Sequence, residues 1–447
     1  FKNINCAAIV DFKQLCQSIP EAIERYEPNV CAVPGRGGII AAIVIASVLG
    51  ALLIGLLIYY GYNRLALFRR ISARHERLME ETIDESLRSV SQLEFPLHLV
   101  KRADFIKEGM LQRHEIMRDQ HKLLVIDSLA EVDNFMSQGN PVIFFSHQWT
   151  SFSQPDPSGS QYRSMVNALQ QVAEQNEWDE HMDNIYVWVD FSCIPQTNPC
   201  TQNLAIRSLA AYASSAAVFI IVAPPCNHAE LNTACDIETY QCRMWCRAEQ
   251  VCHSMRNGTG RMFIAHDESH TLKPVDDDWF REALRVFDGD LTCCRLEHKG
   301  SVACDRQSLV IPILGLYGEL YRASLESHKM GDSSVQESVK QFLNEIEKDQ
   351  EAIFPRSFEM THWRSQKRVT ETVMLFGDLI ERMKVRIEQG GEVSDKDSTT
   401  VKSSVIPSGF VRHGVTHGMA TPMVNMKVET AIGKMDMEDI EFMNHKV

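Results

Sequence analysis

Twenty-three consecutive residues, Gly38 to Tyr60, read GIIAAIVIASVLGALLIGLLIYY and carry no charge. As a helix that run is about 34 Å long, enough to cross a hydrocarbon core of about 30 Å with a modest tilt. A buried helix of a soluble protein rarely stays apolar on every side for so long. The segment is also too long, too far from the start and flanked by basic residues on the wrong side for a signal peptide. Arg64, Arg69, Arg70, Arg74 and Arg77 follow the run, against Arg36 and the acids Asp11, Glu21, Glu24 and Glu27 before it. The bias predicts a single-pass protein with its C-terminal side in the cytosol.

The cysteines divide along that boundary. Cys6, Cys16 and Cys31 lie before the run, an odd set open to one intermolecular disulfide. The chain opens at Phe1 and is read as a partial or processed form, an ectodomain or signal sequence preceding it. Ten of the thirteen cysteines follow the run, where a reducing compartment makes them buried small side chains or free thiols. Cys242, Cys246, Cys252 and His253 lie close together but lack paired C-x2-C spacing, so no metal is expected. The formal charge of -14 argues against a nucleic-acid partner, and the five arginines after the run are expected to face anionic lipid headgroups instead.

Composition and periodicity divide the chain into six stretches: an extracytoplasmic stub 1–36, a transmembrane helix 37–62, an amphipathic juxtamembrane helix 63–94, an α/β domain 95–300, a helical region 301–389 and a disordered tail 390–447. Leu67, Ile71, Leu78, Leu87 and Val90 give the juxtamembrane stretch its apolar stripe. Ala42, Ala46 and Gly50 fall four apart in the span, the small-residue spacing that lets two helices approach, so a homo-oligomer is expected. In the α/β domain four short apolar runs alternate with helical patterns: Pro141 to Ser146, Ile185 to Asp190, Val218 to Val222 and Arg261 to Ala265. That alternation predicts a parallel, flavodoxin-like sheet with flanking helices. Past Ser308 helices are expected at Leu309 to Leu320, Val335 to Ile346 and Val369 to Ile387, and beyond Gly390 periodicity ends.

In such a sheet ligands bind beyond the C-terminal strand ends, at the crevice where helices leave on opposite faces. The converging segments are 146–159 and 223–247, with 191–203 as a neighbouring wall. They bring Ser146, His147, Gln148, Trp149, Asp190 and Trp245 together as candidate binding residues. Trp245 and Glu249 are four apart on one predicted helix, so indole and carboxylate share a face. Two readings fit: a flat apolar surface beside one acid for a nucleotide sugar, or a tryptophan anchoring the helix beside a solvated surface acid.

Several blocks together resemble the Toll/interleukin receptor (TIR) family and its fungal relative, the heterokaryon-incompatibility (HET) domain. FFSHQW at Phe144 to Trp149 is similar to the first strand and loop, and VWVDFSCIPQ at Val187 to Gln196 to the HET-type second strand. AAVFIIVAP at Ala216 to Pro224 resembles the third strand. RMWCRAE at Arg243 to Glu249 matches the W-x-x-x-E pattern that holds the catalytic glutamate of NAD-cleaving TIR domains. The resemblance covers about 130 residues, from Pro141 to Ala265.

It implies a TIR-type fold and a membrane-anchored signalling hydrolase that cleaves the ribose–nicotinamide bond of NAD+ when clustered. Glu249 is then catalytic, no cofactor is needed, and NAD+ enters as substrate. Nicotinamide leaves a pyridinium as a neutral molecule, so one carboxylate that stabilises an oxocarbenium-like ribose suffices. Two departures stand out. SHQWTSFSQ lacks the usual acid soon after the first-strand serine, Asp156 being the nearest, and Leu204 stands where some NAD-cleaving members place an aromatic. A non-catalytic scaffold acting by domain association and a nucleotide-binding sensor remain as alternatives.

Overall fold

The computed structural model describes residues 36–389 apart from 177, 267–270, 300–303, 331–332 and 365. The three N-terminal cysteines and the predicted tail lie outside the described residues. Helix α1, Arg36–Ser91, is continuous through the stretch expected to hold two helices. The chain forms two units, 1–78 and 79–447. In the first, every large apolar side chain from Ile40 to Tyr62 is more than half exposed. An 18-residue window of α1 has a mean hydropathy of 2.8 with none of it buried, making it one helix long and apolar enough to cross a membrane.

The second unit is an α/β domain. Its elements run β1 (Leu97–Lys101), α2 (Arg102–Glu108), α3 (His114–Asp119), β2 (Leu123–Ile126), α4 (Leu129–Ser137), β3 (Val142–His147), α5 (Ser160–Gln175) and β4 (Tyr186–Trp188). Next come α6 (Asp190–Cys193), α7 (Pro199–Arg207), α8 (Leu209–Ser215), β5 (Val218–Val222), β6 (Cys226–Asn227), β7 (Ala234–Cys235), α9 (Ile237–Gln241), α10 (Met244–Asn257), β8 (Met262–Ala265) and β9 (Lys273–Pro274). The C-terminal elements are α11 (Asp277–Ala283), α12 (Thr292–Arg295), α13 (Asp305–Met330), α14 (Ser333–Lys348), α15 (Gln350–Ile353), β10 (Ser357–Arg364), β11 (Lys367–Met374) and α16 (Leu379–Glu388).

The central sheet has the order β2-β1-β4-β3-β5-β8-β9. Its four inner strands are parallel, and they are the four apolar runs read from the sequence. Strands β3 and β5 are buried along their whole length, which is why they read as unbroken apolar runs and not as alternating patterns. Phe144 stacks between Trp188 and Phe219 at centroid distances of 4.2 and 5.2 Å, an aromatic row across three adjacent strands. The row fixes the register that puts the ends of β3 and β4 side by side. Helix α5 packs against β5 and β8, while α10 packs on α8, β3 and α13.

Three expectations need correction. Antiparallel β1 and β2 extend the sheet at one edge, and short β9 pairs antiparallel with β8 at the other. The second strand ends at Trp188, and Asp190 opens the one-turn helix α6 instead of closing the strand. The helix expected over Val369 to Ile387 is a strand, β11, followed by α16, so the region after Ser308 is not wholly helical. Val369, Thr370, Thr372 and Val373 are β-branched and pair in register with β10, which outweighs the helical spacing of the run.

The end of α1 belongs to this unit. Ile83, Leu87 and Val90 are buried, and the backbone of Ser86 lies so close to Gly315 of α13 that a Cβ there would collide with the Ser86 carbonyl. A glycine is what lets the two helices meet at that point.

Candidate functional site

The candidate residues gather because three chain segments end at the same edge of the sheet. Strand β3 delivers Ser146 and His147 at its C-terminal end, and the tight turn after β4 delivers Asp190. Helix α10 supplies the third side. Asp236 caps α9 with a reciprocal capping box to Thr239, and α10 then starts at Met244, running back along the sheet until Gly258 ends it with φ 70°. The backbone of Met244 lies against Gly289, where any side chain would clash.

A narrow cleft, open at one side, lies between these segments. His147 and Trp149 line it from the β3 end, Asp190 and Ile194 from the β4 turn, Ile206 and Leu209 from α7 and α8. Arg243, Trp245, Cys246 and Glu249 close it from α10. All three segments expected to converge contribute.

Glu249 borders the cavity and keeps some solvent exposure, yet protein surrounds its carboxyl. Burial pushes the acid up to about 8, against the hydrogen bond from Ser146, with Asp190 raising it further and His147 and Arg243 opposing. Ser146 Oγ is hydrogen-bonded to Glu249 Oε2 and lies 2.6 Å from the Tyr240 hydroxyl, which joins the three groups in one chain. This relay is what distinguishes Glu249 from a solvated surface acid. At neutral pH most copies of Glu249 are protonated.

His147 and Asp190 form the second element of the site. His147 Nε2 lies 2.8 Å from Asp190 Oδ1, and Nδ1 lies 2.5 Å from Gln161 Oε1. The Gln161 amide nitrogen donates to the Gln148 carbonyl at 2.8 Å, which fixes its oxygen toward the imidazole. Both ring nitrogens therefore face acceptors, and both carry protons. Burial alone would lower the His147 imidazole, but the Asp190 carboxylate and the bonds to Asp190 and Gln161 raise it overall. Asp190 is held low: burial raises it, and His147, Trp149 Nε1 and the Phe191 amide more than offset that. The result is a buried, hydrogen-bonded ion pair with its charge cancelled internally.

The other candidates take different places. Trp149 donates its indole N–H to Asp190 Oδ2 at 2.8 Å and meets Phe191 edge-on, so it is a fixed wall. Trp245 is partly exposed at the cavity and is the indole available to a ligand. Gln148 points away from the cavity, donating to the Asp236 carbonyl at 2.9 Å and to Thr239 Oγ1 at 3.0 Å. Leu204 is 39% exposed and outside the lining.

Arg243, Tyr240 and Gln161 stand at the site or touch its residues, and spacing alone does not single them out. Arg243 lies two residues before Trp245 at the cavity, and among the described residues its guanidinium makes no hydrogen bond or ion pair. It is the cation an anionic ligand would meet. Cys242, Cys246, Cys252 and His253 do not converge: Cys242 is exposed, Cys246 Sγ faces the His147 carbonyl and His253 Nδ1 faces the Ala213 carbonyl.

Taken together, the cavity holds one acid whose ionisation is suppressed, one charge-neutralised ion pair, one accessible indole and one unpaired cation. A cationic or carbocationic group entering beside Glu249 would restore its ionisation, and an anionic group would be held by Arg243. Comparison with family models, with curated proteins and with solved structures returns no match.

Proposed function

We propose that this chain is a single-pass membrane signalling protein whose cytosolic domain is TIR-like and flavodoxin-like, and that clustered copies hydrolyse NAD+ at the nicotinamide–ribose bond. The observation that carries the reading is the position of Glu249. It lies beside a cavity at the C-terminal ends of parallel strands, one helical turn after the accessible Trp245, with its ionisation held back by burial. The parallel strand order β4-β3-β5-β8, two-one-three-four in sequence, is consistent with a flavodoxin-like arrangement.

In this reading the nicotinamide riboside end enters the cavity and Arg243 holds the pyrophosphate at its rim. The pyridinium draws Glu249 toward its carboxylate form, since an opposite charge favours ionisation. The C1′–N bond breaks with its electron pair passing to the nicotinamide nitrogen, which becomes neutral. Glu249 stabilises the oxocarbenium-like ribose, and water adds at C1′ to give ADP-ribose and a proton. Ser146, backed by Tyr240, holds the carboxylate in place. The His147–Asp190 pair fixes the wall, and Trp149 is tied to it.

The single copy has its Glu249 carboxyl already hydrogen-bonded, which favours the alternative of a scaffold or a nucleotide sensor that acts by association. Clustering through α1 separates the two. Full-length protein in liposomes at low and high density is incubated with NAD+, and nicotinamide is quantified. Release at high density that is lost in Glu249→Ala supports hydrolysis. No release at either density sinks it, and calorimetry with ADP-ribose then distinguishes a sensor from a scaffold.

A further inference from the structure

Away from the cavity, Cys293 and Cys294 of α12, His298 in the turn that follows and Cys304 just before α13 bring three thiols and one imidazole together, all four donor atoms within 4.8 Å of one another. We propose that this cluster is a structural zinc site of the Cys3His type.

The distances match one tetrahedral ion. Ligands at about 2.3 Å for sulfur and about 2.1 Å for nitrogen around zinc set sulfur–sulfur separations of about 3.8 Å and sulfur–nitrogen separations of about 3.6 Å. Cys293 Sγ and Cys304 Sγ are 3.9 Å apart, Cys294 Sγ and Cys304 Sγ 3.5 Å, and Cys294 Sγ and His298 Nε2 3.7 Å.

The imidazole is prepared for the task. His298 Nδ1 lies 2.7 Å from the Thr361 carbonyl of β10, an acceptor only, so Nδ1 carries the proton and the Nε2 lone pair faces the sulfurs. A metal-bound histidine anchored by its other nitrogen to a backbone carbonyl is the usual outer-shell arrangement. Cys293, His298 and Cys304 are buried, which suits a closed structural site with four protein ligands.

Three thiolates on a divalent ion leave one negative charge, and a cation stands nearby. Arg306, two residues after Cys304, donates to the carbonyls of Phe287 and Gly289, which fixes its guanidinium in this corner of the fold. Binding releases three thiol protons to solvent, and no redox partner takes part.

The site joins three parts of the chain. It ties α12 to the start of α13 and, through His298, to the hairpin β10–β11. That hairpin is already clasped at the same turn, since Trp363 Nε1 and Arg368 each bond Glu297 at 2.8 Å and Lys299 lies over the Trp363 ring. Zinc would staple a hairpin whose own strand β11 is largely exposed.

The test uses the full chain in detergent, purified with reductant, and mass-spectrometric metal analysis. About one zinc per chain is expected. After chelation, cobalt titration should reach an end point near one equivalent, with the visible bands of a tetrahedral thiolate complex. His298→Ala and Cys294→Ser should each weaken metal affinity by at least ~10-fold. Stoichiometry and the cobalt spectrum of the unmutated chain decide the matter where a variant fails to fold. A reduced chain that holds no zinc after incubation with it and gives no cobalt spectrum overturns the proposal. So does a Cys294–Cys304 disulfide found in its place, or a cobalt spectrum that both variants leave unchanged.

Discussion

Replacing Glu249 by Gln should make the fold more stable as the pH rises, the reverse of what removing a useful contact does. The folded acid ionises near 8 against an ordinary value of 4.5. A carboxyl raised in the folded state binds its proton more tightly there than in the unfolded chain. The wild type is therefore most stable below pH 4.5 and loses stability as the pH climbs through 8. The ceiling of that loss is the shift of 3.5 (8 minus 4.5) at 1.36 kcal/mol per unit, about 5 kcal/mol. Glu249 borders the cavity, and water and relaxation there reduce the effect, so about 2 kcal/mol between pH 5 and pH 8.5 is expected. Gln keeps an amide oxygen to accept from Ser146 and has nothing to ionise. Its advantage over wild type should grow across that range by roughly 3 °C in Tm, taking an unfolding entropy of about 2.1 cal/mol/K per residue over the unit 79–447. Differential scanning fluorimetry of both proteins at half-unit pH steps reads this directly. A difference in Tm that stays constant with pH would refute the reasoning, because it would mean that Glu249 ionises normally.

Arg243→Ala should weaken ADP-ribose binding about tenfold, since a guanidinium with no partner among the described residues is free to meet a pyrophosphate. Calorimetry checks it, and an unchanged Kd would remove Arg243 from the site. Leucine at Ala42, Ala46 and Gly50 together should lower self-association in liposomes by about an order of magnitude, because the three small residues share one face of α1 and Gly50 has open space around it. Energy transfer between labelled copies measures this, and equal transfer in both would leave α1 as an anchor only.

What the sequence displays follows from the range over which each feature is encoded. The inner strands are written as unbroken apolar runs because both faces are buried, and Pro141 to Ser146 becomes β3 with a shift of one residue at each end. Strands β1 and β2 lie at one side of the sheet, and nothing local marks 97–101 as a strand until it pairs with β2 and β4. Val369 to Met374 carries helical and strand signals at once, and only its partner β10 decides between them. Spacing places Trp245 and Glu249 on one face, but Ser146 meets Glu249 across 103 residues, and that contact is what encloses the acid. Gln148 shows the opposite case: it neighbours the site in sequence and turns toward α9 in space. The thiol cluster escapes a search for paired C-x2-C spacing because two of its cysteines are adjacent and the hairpin orients its histidine.

The most direct test of the proposed chemistry is the pH dependence of nicotinamide release by clustered, membrane-reconstituted chain. Since only the carboxylate stabilises a cationic ribose, kcat/KM for NAD+ should rise with pH through a midpoint near 8, the value of Glu249 in the folded chain without ligand, and Glu249→Gln should abolish release at every pH. Release that is flat between pH 6 and pH 9, or equal in wild type and Glu249→Gln, would contradict the assignment of Glu249 as the catalytic carboxylate of an NAD+ glycohydrolase.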